Sequence, residues 1–183
     1  LPYKDKIIAV GLDSSEKGNP PEKFKHVFQE AINQGFLTVA HAGEEGPAQN
    51  ISDALSLLGI TRIDHGVRCV EDEDLMEQLI AKRTPLTVCP LSNTKLKVFD
   101  TMQEHNIVEL LRKGLCVTIN SDDPAYFGGY MNDNFLAVAN AHPLTKNELA
   151  QFSINAVEAS FTSPHAKEDL IAQVRQYLAE NIH

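Results

Sequence analysis

Apolar runs that end in polar, chemically capable residues recur along the chain and predict its fold. Each run is short and hydrophobic enough to form a buried parallel strand, and the segments between runs have helical periodicity. The runs span residues 7–16, 36–46, 61–67, 85–93 and 115–123. This alternation predicts an α/β protein built from right-handed βαβ units, with reactive groups at the carboxyl ends of its strands.

Helical patterns follow the first four runs. Their apolar residues repeat every three or four positions, and prolines or glycines mark their ends. The predicted helices span residues 19–35, 46–59, 71–83 and 105–113. After residue 131 the strand pattern stops, and helices are predicted over residues 132–140, 145–161 and 163–181. A capping box from Thr145 to Glu148 opens the second of these C-terminal helices.

Composition narrows the class of protein. The 183 residues are 43% hydrophobic, which predicts one globular domain over residues 1–183. A net charge of −9 disfavours a nucleic-acid partner and favours a small neutral or polar substrate. The three cysteines are widely spaced and form no CxxC motif, so no disulfide framework is indicated. This favours a reducing, cytoplasmic compartment. No segment has the length and hydrophobicity of a membrane span, so no membrane partner is predicted.

Five residues with catalytic or metal-binding chemistry follow predicted strands. They are His41, Glu44, His65, Asp122 and Asp123. Each motif alone has a simpler interpretation: a buried structural histidine, or an Asx turn that caps a helix. These alternatives do not explain why all five residues follow strands, where a barrel would gather them around one axial pocket. The pattern therefore predicts an active site in which a histidine binds a metal ion and a glutamate acts as an acid or base.

Four motifs, in their order and spacing, resemble the adenosine and adenine deaminase family of metal-dependent amidohydrolases. They are HAGE at 41–44, RIDHG at 62–66, CPLSN at 89–93 and NSDDP at 120–124. The resemblance continues into SINAVEASF at 153–161, and residues 10–24 and 121–134 are most similar to the bacterial and fungal adenine deaminase branch. It implies a (β/α)8 TIM barrel of the amidohydrolase type, with one Zn²⁺ ion and a 6-aminopurine substrate.

The resemblance also implies a role for each residue. His41 and Asp122 would be zinc ligands, and Glu44 would donate a proton to purine N1. His65 would orient and help deprotonate the attacking water, and Asp123 would bind purine N7. Attack at C6 would release ammonia and give hypoxanthine from adenine, or inosine from adenosine.

The segment after the first strand adds two candidate substrate-binding residues, Ser15 and Glu16. In the family this segment contacts the N3 side of the purine, and Glu16 could accept a hydrogen bond from an N3 or N9 proton of a free base. The alternative is that Glu16 is a solvated loop charge. Cys89 is expected in the core, and the histidines outside the motifs, including His105, are expected to face solvent.

The sequence departs from the family in one respect. The family's metal site also needs an HxH pair at the end of the first barrel strand, and this sequence contains none. A complete barrel needs about 250 residues, so we interpret the chain as a carboxyl-terminal portion, a partial barrel of about five strands plus C-terminal helices. Catalytic zinc normally keeps three protein ligands, and two would leave the ion under-coordinated.

Two hypotheses of different classes follow. In the first, the chain is the active-site half of a purine deaminase, joined by the remaining strands covalently or as a separate chain. In the second, it is a non-catalytic module that binds a purine or a protein. The protein partners considered are the missing amino-terminal portion and a homo-oligomer. Unpaired sheet edges would favour pairing with another chain in either case. A metal hydrolase acting on a lactone or amide is a third, less supported alternative. The sequence does not distinguish adenine from adenosine or N6-substituted adenine as the substrate. It also leaves open the identity of the metal and the oligomeric state.

Overall fold

The computed structural model describes residues 3–181, which form strands alternating with helices. The strands are β1 (Ala9–Leu12), β2 (Leu37–Ala42), β3 (Arg62–His65), β4 (Leu86–Val88) and β5 (Val117–Ile119). The α-helices are α1 (Lys25–Asn33), α2 (Ala48–Leu57), α3 (Glu73–Lys82), α4 (Pro90–Lys95), α5 (Ile107–Arg112), α6 (Pro124–Phe127), α7 (Met131–Ala141), α8 (Lys146–Ala159) and α9 (Pro164–Glu180). The chain divides into two compact units, residues 1–86 and 87–183. Its organisation as a single domain stays a prediction.

In the first unit, β1, β2 and β3 pair in parallel. Ala9 lies opposite Leu37, and Val39 lies opposite Arg62. The core of this unit is formed by apolar side chains from its helices and strands, among them Phe28, Ala40, Ile51 and Ile63. The parallel register places the last residues of β2 and β3 side by side, with His41 opposite Asp64. Polar residues that follow these two strands therefore meet at one edge of the sheet.

The first strand is more exposed than the sequence predicts. Ile7 and Ile8, in the apolar run that leads into β1, are 47% and 64% exposed. Within the described part of the first unit, β1 pairs with β2 on one side only. The prediction of a buried strand is wrong here because hydrophobic residues indicate a strand but do not show whether a neighbour covers it.

In the second unit, β5 is fully buried and tied to its neighbours by hydrogen bonds. The backbone N–H of Asn120 donates to the carbonyl of Val88, the last residue of β4, at 2.8 Å. The side-chain amide of Asn155, on α8, donates to the carbonyl of Val117 at 2.8 Å and is itself buried. The segment SINAVEASF therefore supports the strand that leads to Asp122 and Asp123.

The C-terminal helices follow the prediction closely. The hydroxyl of Thr145 accepts the N–H of Glu148 at 3.2 Å, and the Glu148 carboxylate accepts the N–H of Thr145 at 2.8 Å. This confirms the predicted capping box. A hydrogen bond from Arg112 to Glu148, at 2.7 Å, is the main reason that the pKa of Glu148 falls to about 2. None of the helices within residues 3–181 combines the length and hydrophobicity needed to cross a bilayer.

Two predictions for the later part of the chain are wrong in detail. The sequence predicts a strand over the whole run at 85–93, but β4 ends at Val88 and α4 begins at Pro90. Proline suits a first helical position because it lacks the N–H that a helix leaves unpaired there. The sequence also predicts that His105 faces solvent, yet it is 2% exposed. Its Nδ1 accepts the N–H of Ile107 at the start of α5, and its Nε2 lies 3.2 Å from Oδ1 of Asn93, so both ring nitrogens are hydrogen-bonded inside the protein. Cys89 is buried, as predicted.

Candidate active site

The loop after β2 brings Glu44 next to His65 in the first unit. Gly43 has a φ of +72°, a conformation that side chains other than glycine rarely adopt, and the chain turns sharply there. Glu44 is 7% exposed, and its Oε1 lies 3.2 Å from Nδ1 of His65, the last residue of β3. Two of the residues chosen from the sequence thus form a buried carboxylate–imidazole pair.

The environment of His65 keeps its ring neutral. Burial, assisted by the nearby ring of His41, lowers the pKa of His65 to about 3, and the charge of Glu16 opposes this shift only partly. A neutral imidazole has one N–H and one basic nitrogen. When Glu44 is ionised it accepts the Nδ1 proton, which leaves Nε2 as the basic nitrogen. At neutral pH the ring of His65 is therefore neutral, and Nε2 is its hydrogen-bond acceptor.

His41 lies beside His65 and is flanked by carboxylates. The two rings meet edge to face, with centroids 4.7 Å apart. Carboxylate oxygens of Asp13 and Asp64 each lie 3.7 Å from Nδ1 of His41, beyond hydrogen-bonding distance. That nitrogen is buried and has no hydrogen-bond partner. A buried nitrogen without a hydrogen-bond partner, together with two nearby carboxylates, suits a site that binds a cation.

The segment after β1 lines a small cavity. The cavity has a volume of about 260 Å³, and its walls include Asp13, Ser15, Glu16, His41 and Asn50. Ser15 is exposed, and its hydroxyl donates to the carboxylate of Glu45 at 3.2 Å. The two substrate-binding candidates and His41 therefore line the same cavity. A larger cavity in the second unit, between α7, α8 and α9, has largely apolar walls and none of the candidate residues.

Glu16 is buried, which excludes the solvated-charge alternative. It is 7% exposed and belongs to the wall between the cavity and the loop after β2. Its carboxylate accepts hydrogen bonds from the backbone N–H groups of Gly43, Glu44, Glu45 and Gly46 and from the side-chain amide of Asn50. Burial raises the pKa of Glu16, but these hydrogen bonds together lower it by more, so the pKa lies below its ordinary value of 4.5.

Asp122 and Asp123 follow β5 in the second unit, and the carboxylate of Asp123 does not cap α6. Asp123 is the N-cap residue of α6, but its side chain makes no capping hydrogen bond. Its backbone carbonyl instead accepts the N–H groups of Tyr126 and Phe127, both at 2.9 Å. Asp123 is also exposed. The helix-cap alternative is therefore wrong for this carboxylate, which is accessible to a ligand.

Three residues near strand ends have unusual backbone conformations. Ser14 after β1, His65 in β3 and Asp122 after β5 have φ values of 73°, 65° and 55°. A residue other than glycine in this region costs roughly 1–3 kcal/mol and persists where surrounding structure holds it, often at active sites. Arg83 and Lys97 share this conformation outside the candidate site, so positive φ alone does not mark the site, and it could not be read from the motifs.

Sequence reasoning missed several residues of the site. Asp13 and Asp64 flank His41, and Asn50 binds Glu16. Asp13 and Asp64 stand in the LDSSE and RIDHG segments, so their closeness to recognised motifs was an available signal. Asn50 gave no such signal, because it lies on the polar face of an amphipathic helix.

Replacing Gly43 with alanine tests the tight turn before Glu44. A Cβ atom at Gly43 would lie 2.5 Å from Cδ1 of Ile51. We expect the free energy of unfolding to fall by about 2–5 kcal/mol, because the left-handed conformation costs roughly 1–2 kcal/mol and overpacking roughly 1–3 kcal/mol. Urea unfolding of a full-length protein that contains this chain would measure the loss. Gly18→Ala is the matched control, since Gly18 has a φ of +73° but no atom within 4 Å of the position that a Cβ would take; equal losses at both positions would contradict the packing on Ile51.

Comparison with known proteins agrees with the motifs. The family described as adenosine deaminase matches residues 1–177. The adenine deaminase of Vibrio parahaemolyticus is 65% identical over 181 residues, which are 99% of this chain and 54% of that protein. The adenine deaminase of Hahella chejuensis is 62% identical over 178 residues, which are 97% of this chain and 53% of that protein. The chain spans about half the length of the curated relatives it matches.

Solved structures agree with the fold. The crystal structure of adenine deaminase from Arthrobacter aurescens matches with a TM-score of 0.93 and 46% identity, over 94% of this chain and 53% of that chain. An amidohydrolase from Burkhoderia ambifaria, solved with bound Zn, matches with a TM-score of 0.89 and 26% identity, over 97% of this chain and 51% of that chain. These matches confirm the predicted α/β fold of the amidohydrolase type. The family match covers nearly the whole sequence, and the chain belongs to the adenosine deaminase family.

Proposed function

We propose that this chain forms the carboxyl-terminal portion of an enzyme that hydrolyses adenine to hypoxanthine and ammonia. The observation that carries the proposal is the buried pair of Glu44 and a neutral His65, because a hydrolytic deamination needs one group that takes a proton and one that gives a proton. Family membership and the adenine deaminase relatives at 62–65% identity support the choice of substrate. We propose that the protein acts in the cytoplasm on this small molecule.

A divalent metal ion, proposed to be Zn²⁺, fits the residues that the chain provides. A metal on one imidazole nitrogen favours a carboxylate beside the other, and the carboxylates of Asp13 and Asp64 lie beside Nδ1 of His41. We propose His41 and Asp122 as ligands, since imidazole and carboxylate both suit zinc. The remaining ligands would come from residues outside this chain. When bound, the ion would acidify water toward neutral pH.

The chain's own residues would move the protons. His65 would accept a proton from water through its basic nitrogen as the water oxygen forms a bond to purine C6. Glu44, in its protonated form, would donate to N1, so that the ring nitrogen does not carry the negative charge. His65 would pass the proton taken from water to the exocyclic amine, which leaves as ammonia when the C6–N bond breaks. The C6 hydroxyl would give its proton to Glu44, so that both groups return to their starting states. Asp123, whose side chain makes no capping hydrogen bond, would hold the purine by accepting a hydrogen bond from the N7–H tautomer of the base.

A spectrophotometric assay of the full-length protein tests this proposal. We expect the protein to convert adenine to hypoxanthine. Adenosine and N6-methyladenine should be assayed in parallel to define the substrate. Dialysis against a chelator should abolish most of the activity, and added Zn²⁺ should restore it, whereas dialysis without chelator should leave it intact. Absence of activity on all three purines would overturn the proposed function, and full activity of metal-free protein would overturn the role of the metal.

A further inference from the structure

The carboxylate of Glu16 is surrounded by donors from one loop. Its Oε1 accepts the N–H of Gly43 at 2.8 Å, and its Oε2 accepts those of Glu44, Glu45 and Gly46 at 2.7, 2.8 and 3.1 Å. Consecutive N–H groups that converge in this way form an anion-binding nest. Here the anion is a side chain of the protein itself. We refer to residues 43–46 as the Glu44 loop.

The hydrogen-bonding capacity of Glu16 is used within the protein. A carboxylate has about four lone-pair sites, and the amide of Asn50 adds a further donor at 3.2 Å to the four backbone groups. The fit is also tight, because a Cβ atom at Gly46 would lie 2.7 Å from Oε1 of Glu16. An N–H of a purine would have to displace one of these donors. This geometry argues against the direct contact between Glu16 and purine that the sequence suggested.

The Glu44 loop carries the proposed acid. The N–H of Glu44 makes the shortest of the hydrogen bonds to Glu16, and the Glu44 carboxylate lies against His65. We propose that Glu16 is a positioning residue that acts through the backbone of the Glu44 loop: it fixes the direction in which the Glu44 side chain leaves the chain. This inference rests on the proposed deaminase function, because it concerns the group that would protonate N1.

A positioning role for Glu16 predicts a particular kinetic result. Glu16→Gln has nearly the same shape, but its NH₂ group is a donor and cannot accept the loop N–H groups. In the full-length protein we expect kcat for adenine to fall by up to about 100-fold, as for a small misplacement of a catalytic group, while KM changes by less than about 3-fold. Hydrogen exchange of the amides of residues 43–46 should become faster. A raised KM with unchanged kcat would instead show direct purine contact and overturn the inference.

Glu148→Gln is a matched control for the loss of a structural carboxylate. Glu148 accepts the N–H of Thr145 at 2.8 Å at the start of α8 and has no part in the proposed chemistry. We expect its kcat and KM to match those of the unchanged protein. An equal loss of kcat in Glu148→Gln would overturn the inference, because it would assign the effect to a general loss of stability.

A milder variant keeps the test decisive if Glu16→Gln does not fold. Asn50→Ala removes one donor to Glu16 and leaves the charge in place. We expect kcat to fall by several-fold with KM nearly unchanged, together with faster amide exchange in the Glu44 loop; no change in either measurement would overturn the inference. Activity of the unchanged protein reports separately on the proposed function, and the exchange measurement tests the contact between Glu16 and the loop even if adenine is not a substrate.

Discussion

Replacing Glu44 with glutamine in the full-length protein is expected to lower kcat for adenine by about 10²–10⁴-fold, the range that acid–base groups typically contribute. Glutamine preserves the size of the side chain but cannot give up an acidic proton to purine N1. The backbone N–H of residue 44 would still bind Glu16, so the loop should keep its conformation. Steady-state kinetics and metal content should be measured on the same preparation.

Glu77→Gln is the control for this substitution. Glu77 is exposed on α3, outside the candidate site, and its replacement by glutamine removes the same charge. Its kcat should equal that of the unchanged protein. An unchanged kcat in Glu44→Gln would show that the assignment of the general acid is wrong.

Asp123→Asn is expected to weaken purine binding by roughly 10–100-fold, since a hydrogen bond to a charged group contributes about 1.5–3 kcal/mol. Bound metal should stay near the level of the unchanged protein. The backbone carbonyl of Asp123, not its side chain, holds the first turn of α6, and asparagine is as good an N-cap as aspartate. The substitution should therefore leave the fold intact.

The neighbouring variant Asp122→Asn provides the contrast. It removes the carboxylate that we propose as a metal ligand, so metal content should fall together with activity. Equilibrium binding of hypoxanthine and elemental analysis would separate the two effects. Equal loss of metal in Asp122→Asn and Asp123→Asn would contradict a division of roles between the two acids.

Periodicity was sufficient to predict most of the fold. The apolar repeats of α1, α2, α3 and α5 and the capping box of α8 are local signals, and these helices lie where the sequence predicts them. The start of α4 was missed because Pro90 is equally compatible with the end of a strand. The N–H of Leu91 is paired with the side chain of Asn134, a partner 43 residues away that no local pattern reveals.

The sequence predicted only part of the candidate site, again because some contacts join residues that are far apart in the chain. Motif recognition found Glu44 and His65, which the structure brings into contact within the first unit. It did not find the arrangement around Glu16, because the donors to that carboxylate come from a loop 27–30 residues later in the chain. Residue type suggested a substrate contact, whereas burial and hydrogen bonding indicate a positioning role. Long-range pairing of this kind is visible only in three dimensions.

The most direct test of the account is a crystal structure of the full-length protein with hypoxanthine bound. The account predicts a carboxylate oxygen of Glu44 within roughly 2.6–3.2 Å of N1, the distance needed for proton transfer, and the carboxylate of Asp123 at N7. Hypoxanthine bound elsewhere, or bound with Glu44 and Asp123 turned away from the ring, would contradict it.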